Sequence, residues 1–177
     1  MTKKKISSVL IGGGVRSGKS SFAQKMAEAM PGRRAYLATA EALDLEMEKR
    51  IAKHQAERDD RWHKTIEEPL ELTAALQSAG SDFDIILVDC LTLWLSNLMG
   101  RDDSDEIILE TIDTLAENIN RLPATVILVT NEVGLGLVPE HPLSRRFRDL
   151  SGFANQRLAG ACQEVYFTVW GLPQKLK

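Results

Sequence analysis

The run Gly13-Gly14-Val15-Arg16-Ser17-Gly18-Lys19-Ser20 has the spacing G-x-x-x-x-G-K-S of a phosphate-binding loop. Such a loop wraps an anion in backbone N–H groups at a helix N-terminus, where the helix dipole adds to the attraction. Gly13, Gly14 and Gly18 allow positive φ and close approach of the anion. Lys19 is spaced to reach the β- and γ-phosphates of a nucleoside triphosphate, and the Ser20 hydroxyl to ligate Mg2+. Asp89 ends the apolar run Ile85–Val88, at the carboxyl end of a strand, where open parallel sheets bind ligands. It can serve as the acidic partner of Mg2+ or cap the helix that starts near Leu91. Thr130-Asn131-Glu132-Val133-Gly134 follows the apolar run Thr125–Val129 at the same edge. Its Asn and Glu either position a substrate hydroxyl or a metal-bound water, or supply only turn chemistry.

A different signal lies in Arg50-Ile51-Ala52-Lys53-His54-Gln55-Ala56-Glu57-Arg58. On a regular helix Leu43, Met47 and Ile51 form one apolar stripe, and His54 shares a face with Arg50 and Arg58. An imidazole between two guanidiniums is costly in a core. It suits a polyphosphate, because arginines neutralise the anion while a neutral imidazole attacks phosphorus. By periodicity alone the segment reads as a solvated charged face with an incidental histidine. His63 and His141 read as surface or turn residues.

These groups need a frame that brings loops from distant segments together. Strand-like and helix-like stretches alternate along the chain. The fold class is therefore α/β: a P-loop NTPase-type, mostly parallel β-sheet flanked by helices, with a C-terminal β-hairpin. Strands are expected at Ile6–Ile11, Ala35–Thr39, Ile85–Asp89 and Thr125–Thr130. Helices are expected at Gly18–Met30, from Ala42 to about Arg58, at Pro69–Ser78 with proline in the first turn, and at Ser104–Arg121 with Ser104 as N-cap. Leu143–Cys162 reads as helical apart from Gly152 and Gly160. Val165–Trp170 and Leu172–Leu176, hinged at Gly171, read as the closing hairpin.

Composition narrows the class further. The chain has 177 residues, 44% hydrophobic and 27% charged, which fits one globular domain over residues 1–177. A net charge of −3 gives no electrostatic case for a nucleic-acid partner. The apolar region Ile85–Met99 is interrupted by Asp89 and too short for a membrane span. Cys90 and Cys162 are far apart and match neither a zinc site nor a disulfide framework. A cytoplasmic protein with reduced thiols is expected.

Several segments together resemble one family. They are the loop Gly13–Ser20, Tyr36-Leu37-Ala38-Thr39-Ala40, Arg50-Ile51-Ala52-Lys53-His54 and Val129-Thr130-Asn131-Glu132-Val133-Gly134. Pro139-Glu140, Arg145-Arg146-Phe147-Arg148-Asp149 and Asn155-Gln156-Arg157-Leu158 complete the set. The chain resembles, from about Val9 to Lys175, the bifunctional adenosylcobinamide kinase/adenosylcobinamide-phosphate guanylyltransferases of cobalamin biosynthesis. The resemblance implies an enzyme that phosphorylates adenosylcobinamide with ATP or GTP. It then takes GMP from GTP onto a histidine and passes it to the cobinamide phosphate. His54 matches the guanylylated histidine, which reverses the reading of that residue from periodicity. Guanine-nucleotide contacts carry over to Gly13, Gly14, Val15, Arg16, Ser17, Gly18, Lys19 and Ser20, to Ala38, Thr39 and Ala40, to Gln55, Ala56, Glu57 and Arg58, and to Glu67 and Asp89. The Trp62–Glu67 stretch is one residue longer than the family pattern, and Lys53 stands where some relatives carry a second histidine. The resemblance also implies a homotrimer. The rival readings are a simple P-loop small-molecule kinase, which needs no His54, and a slowly hydrolysing nucleotide-binding regulator.

Overall fold

Continuous apolar runs cannot sit at a half-exposed surface, and three of them form the middle of the molecule. The computed structural model describes residues 6–41, 61–101 and 103–177, together with Leu45, Lys49 and Ala52. Strands β1 (Ser8–Gly13), β4 (Ile85–Asp89) and β5 (Thr125–Val129) lie side by side, almost wholly buried. With β2 (Arg34–Ala38), β3 (Lys64–Glu67), β6 (Glu164–Val169) and β7 (Leu172–Lys175) they make one seven-stranded sheet of order β3-β2-β4-β5-β1-β6-β7. All neighbouring strands are parallel except β6 and β7.

The described helices are α1 (Lys19–Ala29), α2 (Leu72–Ala79), α3 (Leu91–Gly100), α4 (Asp105–Asn118) and α5 (Pro142–Ala161). Successive strand residues point to opposite faces. Ile86 and Val88 accordingly join the larger core, with Leu76, Trp94, Ile112 and Leu158 from α2 to α5. Ile85 and Leu87 face the other way, into a smaller core with Ala23 and Ala27 of α1. Parallel pairing requires these crossovers, and they cover both faces of the sheet.

The expected α/β sheet and its closing hairpin are present, with differences in detail. β1 starts two residues later than expected and runs to Gly13, because β6 extends the ladder along Gly12 and Gly13. The helix expected from Pro69 starts at Leu72, since the Glu68 carboxylate takes the N–H groups of Leu70 and Glu71 in a preceding bend. β3 was not expected; it is a short, mostly exposed edge strand with little apolar signal. α5 passes unbroken through Gly152 and Gly160, where a Cβ would meet open space. Each glycine there costs about 1 kcal/mol relative to alanine. Burial of Leu150, Ala154 and Leu158 on the same helix outweighs that cost. Of the helix expected from Ala42 to about Arg58, the described residues Leu45, Lys49 and Ala52 are helical and exposed; the rest of that segment from Ala42 onward lies outside the described residues.

Ser104 caps α4, its Oγ accepting the Ile107 N–H at 3.4 Å. Trp170 and Gly171 join β6 to β7 with φ of 53° and 81°. Two positive φ values in a two-residue loop match the twist of the flanking strands. No helix among the described residues is long and apolar enough to cross a membrane.

Candidate active site

Strand register puts the site on one edge. Glu67 pairs with Ala38, Ala38 with Asp89, Asp89 with Val129, and Val129 with Ile11. Past this row β2 to β5 enter loops at their carboxyl ends, and β1 does so two residues on, at the edge where an open parallel sheet binds ligands. Gly13–Ser20, Ala38–Ala40, Glu67, Asp89 and Asn131-Glu132 therefore share one rim. His54, Gln55, Ala56, Glu57 and Arg58, with Arg50 and Lys53, lie outside the described residues.

The cradle is shaped by contacts that its own sequence does not reveal. Gly13 has φ 156°, and a Cβ there would fall 2.4 Å from Thr168 Oγ1 and 2.5 Å from Ser17 Oγ. Gly18 has φ 92°, and its Cβ would lie 2.9 Å from Gly171 Cα. Gly14 does not use that freedom: it has no positive φ and faces open space, while Arg16 takes the left-handed conformation at φ 55°. Thr168 Oγ1 donates to Gly12 O at 3.2 Å, so its 2.8 Å bond with Ser17 Oγ has Ser17 as donor. Gly171 N–H donates to Ser17 O at 2.9 Å. The β6–β7 hairpin thus buttresses the loop from outside. Gly18→Ala combines a left-handed penalty of about 1–2 kcal/mol with a backbone collision. It is expected to lower Tm by roughly 4–8 °C. Thermal unfolding of the variant at wild-type Tm would refute the packing argument.

Lys19 folds over this loop, its Nζ donating to Gly14 O at 3.0 Å. Burial holds its pKa below the ordinary 10.5, and the Asp89 charge pulls in the opposite direction. Lys19 and Asp89 therefore act on one another across the rim. Tyr36 O–H donates to Asp89 Oδ2 at 3.0 Å and fixes the carboxylate. Ser20 occupies the first turn of α1, beside Lys19. A hydroxyl and a carboxylate are hard oxygen donors. So small a protein ligand set suits Mg2+, which keeps waters and phosphate oxygens in its shell.

Ala38, Thr39 and Ala40 offer a ligand mainly backbone. The Thr39 hydroxyl donates to Cys90 O at 2.7 Å and accepts the Cys90 N–H at 3.0 Å. Ala38 O accepts the Glu68 N–H. Glu67 is exposed at the end of β3. His63 Nδ1 accepts the Arg34 N–H and His141 caps α5, so both hold backbone at the surface.

The Asn131-Glu132 loop is the most firmly tied. Because β5 lies between β1 and β4, it emerges between the cradle and Asp89. Asn131 N–H donates to Thr92 Oγ1 at 2.7 Å, and Thr130 Oγ1 to Asn155 Oδ1 at 2.8 Å. Glu132 N–H donates to Gly13 O at 3.0 Å, and Arg148 Nη2 to Gly134 O at 2.9 Å. Sequence reasoning used Asn155 and Arg148 as motif markers without roles. It missed Tyr36 as a partner of Asp89, took Gly171 only as a hairpin hinge and not as a support of the loop, and missed Thr92 and Thr168 altogether, for which no local pattern exists.

Both cysteines are buried. Burial raises each thiol to about 11, with the Asp89 charge adding to it at Cys90. Native protein at pH 8 is expected to give no reaction with a thiol reagent until unfolded; rapid native labelling would contradict this. For Cys162 the raised value favours the protonated thiol in the fold. Its contribution is intact below pH 9 and is lost as pH rises toward 11.

A mostly parallel sheet in which an inner strand enters a glycine loop and a lysine-headed helix, with an aspartate two strands away, defines a P-loop nucleotide-binding α/β protein. Residues 9–176 match the family of cobinamide kinase / cobinamide phosphate guanyltransferase. The chain is 48% identical to the bifunctional adenosylcobalamin biosynthesis protein CobP of Pseudomonas aeruginosa, over 95% of this chain and 96% of that protein. It is 39% identical to the bifunctional adenosylcobalamin biosynthesis proteins CobU of Escherichia coli and of Salmonella typhimurium, over 96% of this chain and 99% of each relative. The chain belongs to this family of enzymes, whose two activities are those of a kinase and a guanylyltransferase.

Proposed function

We propose that this enzyme phosphorylates the side-chain hydroxyl of adenosylcobinamide with ATP or GTP. It then transfers GMP from GTP, by way of a guanylylated His54, to adenosylcobinamide phosphate. The products of the second reaction are adenosylcobinamide-GDP and pyrophosphate. The family match along nearly the whole chain carries this reading. It is supported by the cradle, Lys19 and Asp89 at one sheet edge.

Two reactions can use one cradle because both involve a polyphosphate. In the first, the hydroxyl oxygen bonds to the γ-phosphorus and the bond to the β-phosphate bridging oxygen breaks. In the second, a neutral imidazole nitrogen of His54 bonds to the α-phosphorus and pyrophosphate leaves. The cobinamide phosphate oxygen then displaces the imidazole. Lys19, with Arg50 or Arg58, would neutralise the departing charge. Mg2+, held by Ser20 and Asp89, would supply further charge neutralisation when bound. The guanine nucleotide would contact Gly13–Ser20, Ala38–Ala40, Gln55–Arg58, Glu67 and Asp89. The working form is a cytoplasmic homotrimer.

The test is to incubate the protein with GTP radiolabelled at its α-phosphate, isolate acid-labile protein-bound GMP, and add adenosylcobinamide phosphate. Transfer of label to the corrinoid is expected. A protein that phosphorylates cobinamide yet never acquires label would be a simple kinase.

A further inference from the structure

We propose that Glu132 is the general base of the kinase reaction, accepting the proton of the corrinoid hydroxyl as that oxygen attacks the γ-phosphorus. This rests on the functional reading given above. The first observation is placement. β5 is inserted between the cradle strand and the Asp89 strand, so the residues after it stand between the phosphate loop and the metal-side carboxylate. The backbone is pinned on both sides: Glu132 N–H donates to Gly13 O, and the preceding Asn131 N–H donates to Thr92 on the helix that follows Asp89.

The second observation is the carboxylate itself. Oε1 accepts the N–H of Gly134, and a Cβ at residue 134 would lie 2.8 Å from that oxygen. Glycine at this position therefore leaves room for the carboxylate, whose orientation the N–H fixes. Oε2 takes no hydrogen bond from a described residue, and no ion pair of the described residues includes Glu132. The Glu132 backbone lies against Gly13 at the start of the cradle, and a carboxylate near an anion repels it, by about 1 kcal/mol at 4 Å in water and more in a partly buried setting. Neither a structural ion pair nor phosphate binding accounts for it. Proton acceptance does. The proton passes from the substrate hydroxyl to Oε2, the new O–P bond forms, and the nucleoside diphosphate leaves with the electrons of the broken P–O bond. Guanylylation of a neutral imidazole requires no such base.

Glu132→Gln keeps an oxygen for the Gly134 N–H but cannot accept the proton. With the full-length enzyme, kcat for cobinamide phosphorylation is expected to fall by about 10²–10⁴-fold, with nucleotide KM little changed. Acid-labile GMP labelling should match wild type, and Glu132→Asp should recover part of the kinase rate. Kinase kcat close to wild type in Glu132→Gln would overturn the inference. So would parallel loss of both reactions, which would make Glu132 a structural support of the cradle. Wild-type protein that leaves cobinamide unphosphorylated would instead remove the functional reading beneath it.

Discussion

Replacing Lys19 by alanine is expected to lower both cobinamide phosphorylation and protein guanylylation by about 10²–10³-fold, the size seen on removing one preorganised electrostatic donor. The fold should survive, because among the described residues Lys19 contributes one side-chain hydrogen bond, to Gly14 O, and belongs to neither hydrophobic core. The size of the effect follows from its setting. Burial disfavours the ammonium charge, and Asp89 alone does not cancel that penalty. A polyphosphate entering the cradle supplies the missing negative charge. Binding and transition-state stabilisation therefore draw on the same group in both reactions. Each can be followed separately, one by phosphate transfer from the γ-position and the other by retention of the α-label. Intact guanylylation in Lys19→Ala would show that the loop serves the kinase reaction only.

His54→Ala is expected to abolish acid-labile GMP on the protein and transfer to cobinamide phosphate, while phosphorylation of cobinamide remains measurable. The argument is chemical and rests on the family motif. A phosphoramidate forms only from an unprotonated ring nitrogen, and alanine supplies no substitute nucleophile. Guanylylation in the wild type should also fall at acid pH, because imidazolium has no lone pair for attack. Persistent acid-labile label in His54→Ala would place the nucleophile elsewhere. Loss of phosphorylation as well would mean that this segment also helps hold the first nucleotide. Paired with Glu132→Gln, the variant gives opposite phenotypes for the two half-reactions.

Much of the architecture was legible because its signals are local. Ile85–Val88 and Thr125–Val129 are unbroken apolar runs, and such runs are stable only between two covering layers. The Trp170-Gly171 turn was marked by glycine between two strand-like stretches. β3 was not legible, since an exposed four-residue edge strand carries no burial pattern to read. The start of α2 was misplaced because proline at a first turn is a common signal, whereas here Glu68 captures the N–H groups that would begin the helix. Gly152 and Gly160 looked like breaks, yet a long helix held by buried leucines absorbs two exposed or half-exposed glycines.

The division at the site has the same physical origin. By itself the sequence determined the phosphate cradle, the candidate aspartate and the family, because these lie in contiguous motifs whose residue types follow from anion chemistry. The tertiary structure decided what holds that chemistry in place. Thr168 and Gly171 reach the loop from the far end of the chain, Tyr36 fixes Asp89 from the neighbouring strand, and Thr92 and Gly13 pin the Asn131-Glu132 backbone. Hydrogen bonds between groups this far apart in sequence leave no period or spacing along the chain. They exist only once the order β2-β4-β5-β1-β6 places those strands side by side.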